Sequence, residues 1–580
     1  MPTCGLLRVR AALAACALAA SRGAASQARG DPPLFPAVVT DVPGRAPSAH
    51  FAAQVLAAGA WTDVYVFETT ARATIKSPPN GYFSHLENWT TSWVSSQLPS
   101  GSASLRLRVR RIGAGAPIAT AAVHPASSGV TVANVTAAGV VELAAPRAAR
   151  AAVDFDGAMD ENDTGPGYAG PPVHAFAWFV DDVPSPGSLP DPASPATIVV
   201  RPGDAWPAPA ELDPATWPTV VFAPGVHRAA APWVTDKRGW AVYNLSAQTR
   251  YFFCAGAVVH TALFAGITWD SSGTAVDGPG VLSGEEMTRA DDPLNNSPQG
   301  VVFFGVSNAS VRGVTLVDFP NHHLILGSYA GDVLSNVKVL GWRTNGDGVH
   351  VFGSWAVSDL FLRTQDDALY VTCGTGCAAT FDRITTWNDA NGCAFLFAVG
   401  GGEVEAGLVL RDSDAIYTRT SWYWWGPNAA FVNRGDAPGR PFAGVRVENV
   451  RVEDRLPAFN PFRIELLTPG VGAAFCNVSF ANISVANYST IRENPLVHPA
   501  QPLPHGIPNT IFAAAPASIY NVAFNNVSIA GVAMRDLVRD PTYFNLSAGL
   551  LNVTVDGVDI YAAAGAGGAG GEAGADGEPQ

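Results

Sequence analysis

Three aspartates are the residues of this chain whose types and spacing could do chemistry. Asp347 lies in Asn-Gly-Asp-Gly (345–348), and Asp366 and Asp367 follow in Gln-Asp-Asp (365–367), so all three fall within 21 residues. Clustered carboxylates beside a groove are the groups that acid/base cleavage of a glycosidic bond requires. Because close carboxylates repel one another when ionised, one of them is expected to stay protonated as an acid beside ionised partners.

The elements that would bring these aspartates together are the coils of a solenoid. Two short Val/Ile/Leu runs separated by Asn, Asp or Gly recur every 23 to 25 residues around the aspartates. The copies begin near Val306, Leu334, Val357, Thr380, Val404, Phe442, Cys476, Ile519 and Leu550. The fixed leucine ladder of leucine-rich repeats is missing, and a propeller needs about 40 residues per blade. The pattern therefore predicts a right-handed parallel β-helix.

In such a helix, Asp347 and the Asp366–Asp367 pair lie on neighbouring coils, about 4.8 Å apart. Adjacent residues on a regular strand face opposite ways, so the pair must lie at a bend. We expect the three side chains to form an exposed column on the outer face. Asp-Gly and Asp-Asp also mark ordinary turns, and an aspartate cluster could hold calcium, but the one-coil separation favours a catalytic site.

The remainder of the chain divides by composition. Residues 31–182 show short alternating strands between turn residues, which predicts an N-terminal β-sandwich. A Pro-rich stretch, residues 183–195, is interpreted as a linker, and residues 196–561 as the β-helix. The Gly/Ala-rich segment 562–580 cannot bury apolar area, so a disordered tail is predicted. The predicted fold class is all-β, a β-sandwich followed by a right-handed parallel β-helix.

The N-terminus and the glycosylation motifs predict secretion. Arg8 and Arg10 precede an apolar run, residues 11–20, followed by small residues, so residues 1–27 are interpreted as a signal peptide. Asn-X-Ser/Thr motifs are frequent. They include Asn88, Asn244, Asn477, Asn526 and Asn545. We therefore expect an N-glycosylated extracellular or vacuolar protein.

The net charge and the apolar content of the chain limit the kinds of partner that it is expected to bind. The formal net charge is −14 with 14% charged residues, which disfavours nucleic acid as a partner, and no later apolar run is long enough for a membrane span.

Cys373 and Cys377 bracket a short Gly-rich loop and could form a local disulfide; zinc is the alternative, without a second Cys pair to support it. The pairing of the cysteines, including Cys254, Cys393 and Cys476, is left open. No cofactor or metal is implied, and a monomer is expected.

The aspartate motifs resemble those of polysaccharide hydrolases built on parallel β-helices, namely the polygalacturonases and glycoside hydrolase family 49, which contains dextranases and isopullulanases. Polygalacturonases are similar in the Asp-Gly and Asp-Asp motifs but add a Gly-His-Gly one coil later and an Arg-Ile-Lys beyond it. In this chain residues 387–392 contain no histidine, and Arg463-Ile464 is followed by Glu465. Family 49 resembles this chain better, because its members also join an N-terminal β-sandwich to the β-helix and because residues 221–226 and 278–285 look like that family.

The resemblance implies an inverting hydrolase in which Asp366 is the general acid while Asp347 and Asp367 share the role of base. Inversion usually requires carboxyl groups roughly 6.5–9.5 Å apart. The implied substrate is a polysaccharide, a neutral α-glucan such as dextran or pullulan. Two alternatives stay open: a pectin-type hydrolase, with Arg343, Arg363 or Arg383 as carboxylate clamps, and a non-catalytic β-helix protein that binds carbohydrate.

Candidate substrate-binding residues follow from the column argument and from aromatic content. His323 lies 24 residues before Asp347 and could bind a sugar hydroxyl or tune Asp347, although a histidine satisfied within the turn stack is an equal alternative. One coil after Asp367, the candidates are Asn388, Asp389 and Asn391. An aromatic run could stack against sugar rings, or could pack a loop onto the helix. This run is Trp422, Tyr423, Trp424 and Trp425.

Overall fold

The structure is a computed structural model of the chain. It describes residues 34–36, 38–57, 59–71, 88–98, 104–113, 115–160, 173–182, 187–229, 234–235, 241–266, 271–287, 297–343, 345–372, 378–389, 392–398, 407–418, 430–434, 441–455, 461–466, 474–488, 509–516 and 518–561. The predicted signal peptide and the predicted tail lie outside these residues. The described residues from 38 to 561 belong to one compact unit.

The N-terminal part is a sandwich of two five-stranded sheets. Its strands are β1 (Phe51–Ala57), β2 (Ala60–Val64), β3 (Phe67–Thr70), β4 (Thr90–Leu98), β5 (Leu105–Arg111), β6 (Ala121–His124), β7 (Thr131–Val135), β8 (Val141–Ala145), β9 (Ala149–Phe155) and β10 (His174–Asp182). One sheet has the order β2-β1-β5-β8-β7 and the other β3-β4-β10-β9-β6. The alternating apolar residues of both sheets, such as Leu107 and Trp178, share one buried core.

The rest of the described chain is one continuous array of thirty-two strands. They are β11 (Thr197–Val200), β12 (Thr219–Phe222), β13 (Gly225–Arg228), β14 (Val234–Thr235), β15 (Ala241–Asn244), β16 (Arg250–Phe253), β17 (Ala257–His260), β18 (Ala262–Gly266), β19 (Ala275–Asp277), β20 (Val281–Ser283), β21 (Val301–Val306), β22 (Ser310–Arg312), β23 (Thr315–Val317), β24 (Leu324–Ser335), β25 (Lys338–Leu340), β26 (Val349–Thr364), β27 (Leu369–Thr372), β28 (Ala379–Asn388), β29 (Phe395–Ala398), β30 (Leu408–Arg411), β31 (Asp414–Thr418), β32 (Phe431–Arg434), β33 (Pro441–Ala443), β34 (Val445–Val452), β35 (Phe462–Leu466), β36 (Ala474–Val485), β37 (Asn509–Ala513), β38 (Ile519–Ile529), β39 (Val532–Ala533), β40 (Phe544–Leu546), β41 (Leu551–Val555) and β42 (Val558–Asp559).

Helical structure among the described residues is limited to single turns. One short α-helix, α1, covers Met534–Leu537. Turns of 3-10 helix cover Ala126–Ser128, Ala158–Asp160, Pro209–Glu211 and Pro214–Thr216. No helix within the described ranges is long and apolar enough to cross a membrane.

Successive coils pair in parallel register and build three ladders. In the coil that carries Asp347, the first ladder contains residues 333–335, the second contains β25, and the third contains residues 349–352. Inward-facing residues of the third ladder, such as Leu324, Val349 and Leu369, are fully buried and stack on one another from coil to coil. Stacked apolar ladders of this kind form the core of the solenoid.

A single residue in the left-handed backbone conformation turns the chain from the first ladder to the second. These corner residues include Gly313, Asn336, Asp359, Arg383, Asp412, Asn449, Asn482 and Asn526. Asn and Asp adopt positive φ more readily than other side chains, and Gly has no Cβ to clash. This requirement explains why Asn, Asp or Gly separates the two apolar runs of each repeat.

The sandwich packs against the second ladder through a second buried apolar cluster. Phe179 of β10 lies 5.2 Å from Phe361 of β26 between ring centroids, and both belong to this cluster. A buried ion pair joins Lys338 to Asp181, 2.8 Å apart. Arg150 of β9 donates to the corner residues Asn336 and Asp359. The sandwich therefore supports the side of the solenoid that leads into the aspartate turns.

The predicted fold class is confirmed: the chain is all-β and contains a sandwich followed by a parallel β-helix. Strand β10 ends at Asp182 and β11 begins at Thr197. The exact domain boundaries, the linker 183–195 and the tail 562–580 stay predictions.

Candidate active site

The three aspartates lie on the turns that connect the second ladder to the third. The backbone N–H of His323 donates to the carbonyl of Asp347 (2.9 Å), and the N–H of Gly348 donates to the carbonyl of Asp367 (2.9 Å). One coil further, the N–H of Ala368 donates to the carbonyl of Cys393 (2.8 Å). These bonds stack the turns on consecutive coils, so Asp347 and Asp367 are direct neighbours along the axis.

The carboxylates converge more closely than expected and are buried. One oxygen of each of Asp347, Asp366 and Asp367 lies within 4.8 Å of the others. Their exposed fractions are 5%, 8% and 8%, so the expected exposed column is wrong. The turns of consecutive coils are joined by backbone hydrogen bonds, and this close stacking leaves the carboxylates little contact with solvent.

Asp366 and Asp367 lie at a bend, as the alternation of side chains along a strand requires. Strand β26 ends at Thr364 and β27 begins at Leu369. The N–H of Asp367 donates to Asp366 Oδ1 (3.0 Å), and the Thr364 hydroxyl donates to the Asp366 carbonyl (2.6 Å). Asp367 Oδ1 accepts the N–H of Cys393 (2.8 Å). These bonds fix both side chains on the same side of the turn.

A glycine of the next coil lies in close contact with the backbone of this bend. Gly392 has φ +77°, and a Cβ there would overlap the backbone nitrogen of Asp367 and the carbonyl carbon of Asp366. Only glycine combines this conformation with so close an approach. The Gly392–Cys393 segment can therefore deliver its N–H to Asp367.

Two imidazoles contact the carboxylate of Asp347, one at each oxygen. His350 Nε2 donates to Asp347 Oδ2 (2.6 Å), and His322 Nδ1 lies 2.9 Å from Oδ1. The two imidazole rings stack with centroids 4.2 Å apart, and His350 also stacks on Tyr370 at 4.5 Å. The ring stacking therefore holds both imidazoles against the carboxylate of Asp347.

The neighbouring histidines and burial act in opposite directions on the pKa of Asp347. Burial alone would raise the pKa of Asp347, but His322 and His350 outweigh burial and hold that pKa well below its ordinary range. Burial lowers the pKa of His350, although Asp347 opposes that shift. A carboxylate held in its ionised form has no proton to give, so Asp347 suits the role of a base rather than that of an acid.

His323 lies beneath the site rather than at the substrate. It has no solvent exposure, and its Nδ1 donates to the carbonyl of Asp347 (2.9 Å). Burial lowers the pKa of His323 to about 4, so the ring is neutral. A fully buried ring cannot reach a sugar hydroxyl, so the predicted substrate contact is wrong and His323 instead positions the backbone of Asp347.

The same correction applies to the two described residues of the following coil. Asn388 is 1% exposed, and its Nδ2 donates to the carbonyl of Asp366 (3.0 Å). Asp389 has no exposure and binds Arg363 (3.0 Å) and the indole N–H of Trp387 (2.7 Å). Both support the aspartate turns from below. Asn391 and the aromatic run Trp422, Tyr423, Trp424 and Trp425 lie outside the described residues.

The three arginines considered as carboxylate clamps are already engaged. Arg343 binds Asp318 (3.1 Å) and the carbonyl of Met287 (2.7 Å). Arg363 is buried and binds Asp389. Arg383 is a corner residue between the first and second ladders and binds Asp359 (2.8 Å). Each of the three arginines therefore already has a carboxylate partner within the chain.

An aromatic surface that the sequence analysis missed adjoins the site. Phe304, Phe352 and Tyr370 occupy outward positions of the third ladder, and we call them the aromatic face. Phe304 is 57% exposed, whereas Phe352 and Tyr370 are partly exposed with ring centroids 6.3 Å apart. Aligning the coils in register would have found them, because Phe304 and Phe352 share one column and His350 and Tyr370 the adjacent one.

Comparison with known proteins identifies the architecture. No protein-family model matches the chain, and no curated protein matches it significantly. Among solved structures, Dex49A from Penicillium minioluteum superposes with a TM-score of 0.66 at 17% identity, covering 90% of this chain and 97% of that one. The chain shares the fold of Dex49A. That protein is a dextranase of family 49, so the predicted resemblance is confirmed at the level of the fold.

More distant likenesses exist among polygalacturonases. The family 28 exopolygalacturonase of Yersinia enterocolitica has a TM-score of 0.39 and 13% identity over 79% of this chain and 97% of its own. The polygalacturonase of Erwinia carotovora has a TM-score of 0.41 and 13% identity over 62% and 96%. At these TM-scores neither supports an argument about this chain.

The calcium alternative fits the described site poorly. Calcium takes six to eight oxygen ligands, mostly from carboxylates, carbonyls and water. Both oxygens of Asp347 instead contact imidazole nitrogens. These nitrogen contacts do not match the oxygen ligands that calcium prefers.

Proposed function

We propose that the protein is an inverting glycoside hydrolase that cleaves a neutral α-glucan, such as dextran or pullulan. The observation that carries the proposal is the convergence of Asp347, Asp366 and Asp367 within 4.8 Å on neighbouring coils. The shared fold with Dex49A supports it. A polysaccharide partner follows, and no cofactor enters the reaction.

One of the three carboxyl groups acts as the acid, and the other two share the role of base. Asp366 gives its proton to the glycosidic oxygen as the bond to the anomeric carbon breaks. Asp347 and Asp367 hold a water molecule on the opposite face of the sugar and take its proton as the new bond to carbon forms. The imidazoles that keep Asp347 ionised support its place in the base pair.

A neutral substrate follows from charge and from the aromatic face. Arg343 and Arg363 are engaged in buried contacts, and Arg383 lies at the corner between the first and second ladders. Sugar rings present apolar C–H faces that pack well on aromatic side chains. Phe304, Phe352 and Tyr370 offer such surfaces beside the aspartates, with no charge that would select a uronate.

The first expected result concerns substrate choice. The purified protein should release reducing sugar from dextran or pullulan and should show negligible activity on polygalacturonate. A reducing-sugar assay against dextran, pullulan, starch and polygalacturonate measures this directly. Activity confined to polygalacturonate would favour the pectin-type hydrolase, and binding of a glucan without turnover of any polymer would favour the non-catalytic alternative.

The second expected result is inversion at the cleaved carbon. The carboxylate oxygens that approach most closely are within 4.8 Å, which is nearer to the roughly 5–5.5 Å of retaining enzymes than to the roughly 6.5–9.5 Å of inverting ones. We nevertheless propose inversion, because a carboxylate with imidazoles on both oxygens is a weak nucleophile and suits the orientation of water. Proton NMR of the first product should show the β-anomer from an α-glucan. An α-anomer at early times would contradict the proposed roles of the three aspartates.

The site of action is proposed to be outside the cell or in a vacuole. The apolar run near the N-terminus and the Asn-X-Ser/Thr motifs support secretion and N-glycosylation. Asn88 and Asn545 lie on the surface of the described chain, where a glycan fits without unpacking the core. We further propose a monomer with the domain boundaries predicted from sequence, and a local disulfide between Cys373 and Cys377, which lie outside the described residues.

A further inference from the structure

The feature with the most unexplained chemistry is the pair of histidines on Asp347. His322 Nδ1 and His350 Nε2 reach different oxygens of the same carboxylate, at 2.9 and 2.6 Å. A carboxylate in a structural ion pair needs one such partner. Asp366 Oδ1 and Asp367 Oδ1 each accept a backbone N–H group.

We propose that His322 and His350 are positioning residues, which orient Asp347 toward the attacking water and must be neutral for Asp347 to accept its proton. The inference rests on the proposed function, and it adds two residues to the machinery of that site. A neutral imidazole donates one N–H and leaves the carboxylate basic, whereas an imidazolium makes the same contact and withdraws that basicity.

The geometry favours a functional pair over mere packing. The rings stack on each other at 4.2 Å, and His350 stacks on Tyr370 at 4.5 Å, so neither ring can turn away from Asp347 without losing a ring contact. The His322 side chain is 20% exposed, which leaves it open to exchange protons with water, whereas His350 is buried. The pair therefore connects the buried base to solvent.

Other titratable groups surround the pair. Asp366 and Asp367 lie on the next coil with oxygens within 4.8 Å of Asp347, and the negative charge of an ionised Asp367 favours the imidazolium. His323 lies beneath Asp347 and Tyr370 lies against His350. Burial acts in the opposite direction and lowers the pKa of His350. The acid limb of the pH–rate profile should therefore reflect the titration of the imidazoles as well as that of the carboxylates.

Two kinds of variant separate hydrogen bonding from titration. His322→Asn places an amide N–H where Nδ1 was, and His350→Gln places one where Nε2 was, so both keep a donor and neither titrates. We expect the double variant to retain turnover while the acid limb of kcat/KM moves to lower pH by about one unit or more, toward ordinary carboxylate values. His350→Phe keeps the ring stack but removes the donor, and kcat should fall about 10²-fold at every pH because Asp347 is no longer held in place.

His174→Gln is the matched control, since this histidine lies in β10 of the sandwich and contacts Thr90. It should leave the acid limb unchanged. If the donor-keeping double variant is active but its acid limb coincides with that of the wild type, the histidines are only structural and the inference is wrong. If the wild type turns over no glycan at all, the proposed function fails instead.

Imidazole NMR provides a readout that needs no activity. Because the carboxylate of Asp347 favours the imidazolium, Asp347→Asn should lower the pKa values of His322 and His350 and leave that of His174 unchanged. Equal pKa values for the pair in both proteins would show that Asp347 and the imidazoles are not coupled, and would overturn the inference.

Discussion

Asp366→Asn should reduce turnover of a neutral glucan by about 10²–10⁴-fold, because the leaving sugar then departs without a proton. A glycosyl fluoride has a good leaving group and needs little proton donation, so it should keep a much larger fraction of its rate. Asp347→Asn and Asp367→Asn should suppress both substrates, since water activation is required in either case. Steady-state rates of the four proteins on both substrates provide the measurement.

Asp412→Asn is the matched control for this series. Asp412 is an exposed corner residue with positive φ, a conformation that asparagine also adopts, so the same isosteric change there should leave both rates unaltered. Because Asp347, Asp366 and Asp367 are buried, the folding of their variants must be checked by urea denaturation rather than assumed. Equal losses on glucan and fluoride in Asp366→Asn would remove Asp366 from the role of acid.

The solenoid could be predicted because its physical cause is local and repeated. Each corner requires a left-handed residue, so Asn, Asp or Gly recurs between two apolar runs, as in Asn449 and Asn482. Parallel pairing then fixes which residues share a column. The proximity of Asp347 to Asp367 follows from the length of one coil, which is visible in the sequence.

The surroundings of the aspartates could not be predicted in the same way. His323 and Asp389 have the residue types and spacing of substrate ligands, but burial decides their roles, and burial depends on how deeply each turn lies under its neighbours. His322 could not be distinguished from His323, because the sequence does not show which of two adjacent side chains points outward. His350 lies on a strand where alternation predicts only that it faces away from the core.

The supports beneath the site arise from contacts that span the sandwich and the solenoid, and no local pattern reveals them. Arg363 is 1% exposed and lies between the rings of Trp342 and Trp387, at 4.3 and 4.4 Å from their centroids. It binds Asp389 and also donates to the hydroxyl of Thr91 in strand β4. The N–H of Asp389 in turn donates to the carbonyl of Thr364, where the turn that carries Asp366 and Asp367 begins.

Arg363→Met should therefore destabilise the protein by about 3–5 kcal/mol at neutral pH, because it leaves the carboxylate of Asp389 buried without its cation. Burial already raises the pKa of Asp389, against the influence of Arg363, and removal of the arginine should raise that pKa further. An acid whose folded-state pKa lies above its unfolded value loses stability as pH rises through that range. The destabilisation measured by urea denaturation should consequently be smaller at acidic pH than at pH 7.

Arg383→Met provides the comparison, because Arg383 also binds an aspartate but has a side chain that is 52% exposed. That change should cost less than about 1 kcal/mol. In the double variant Arg363→Met/Asp389→Asn, neither charge of this pair remains, so part of the lost stability should return, and the pH dependence introduced by the single variant should disappear. If Arg363→Met unfolds at the same urea concentration as Arg383→Met, then the buried ion pair does not hold the turn of Asp366 and Asp367 against the sandwich. The position of Asp366 must then depend on the contacts with Thr364, Asn388 and Gly392.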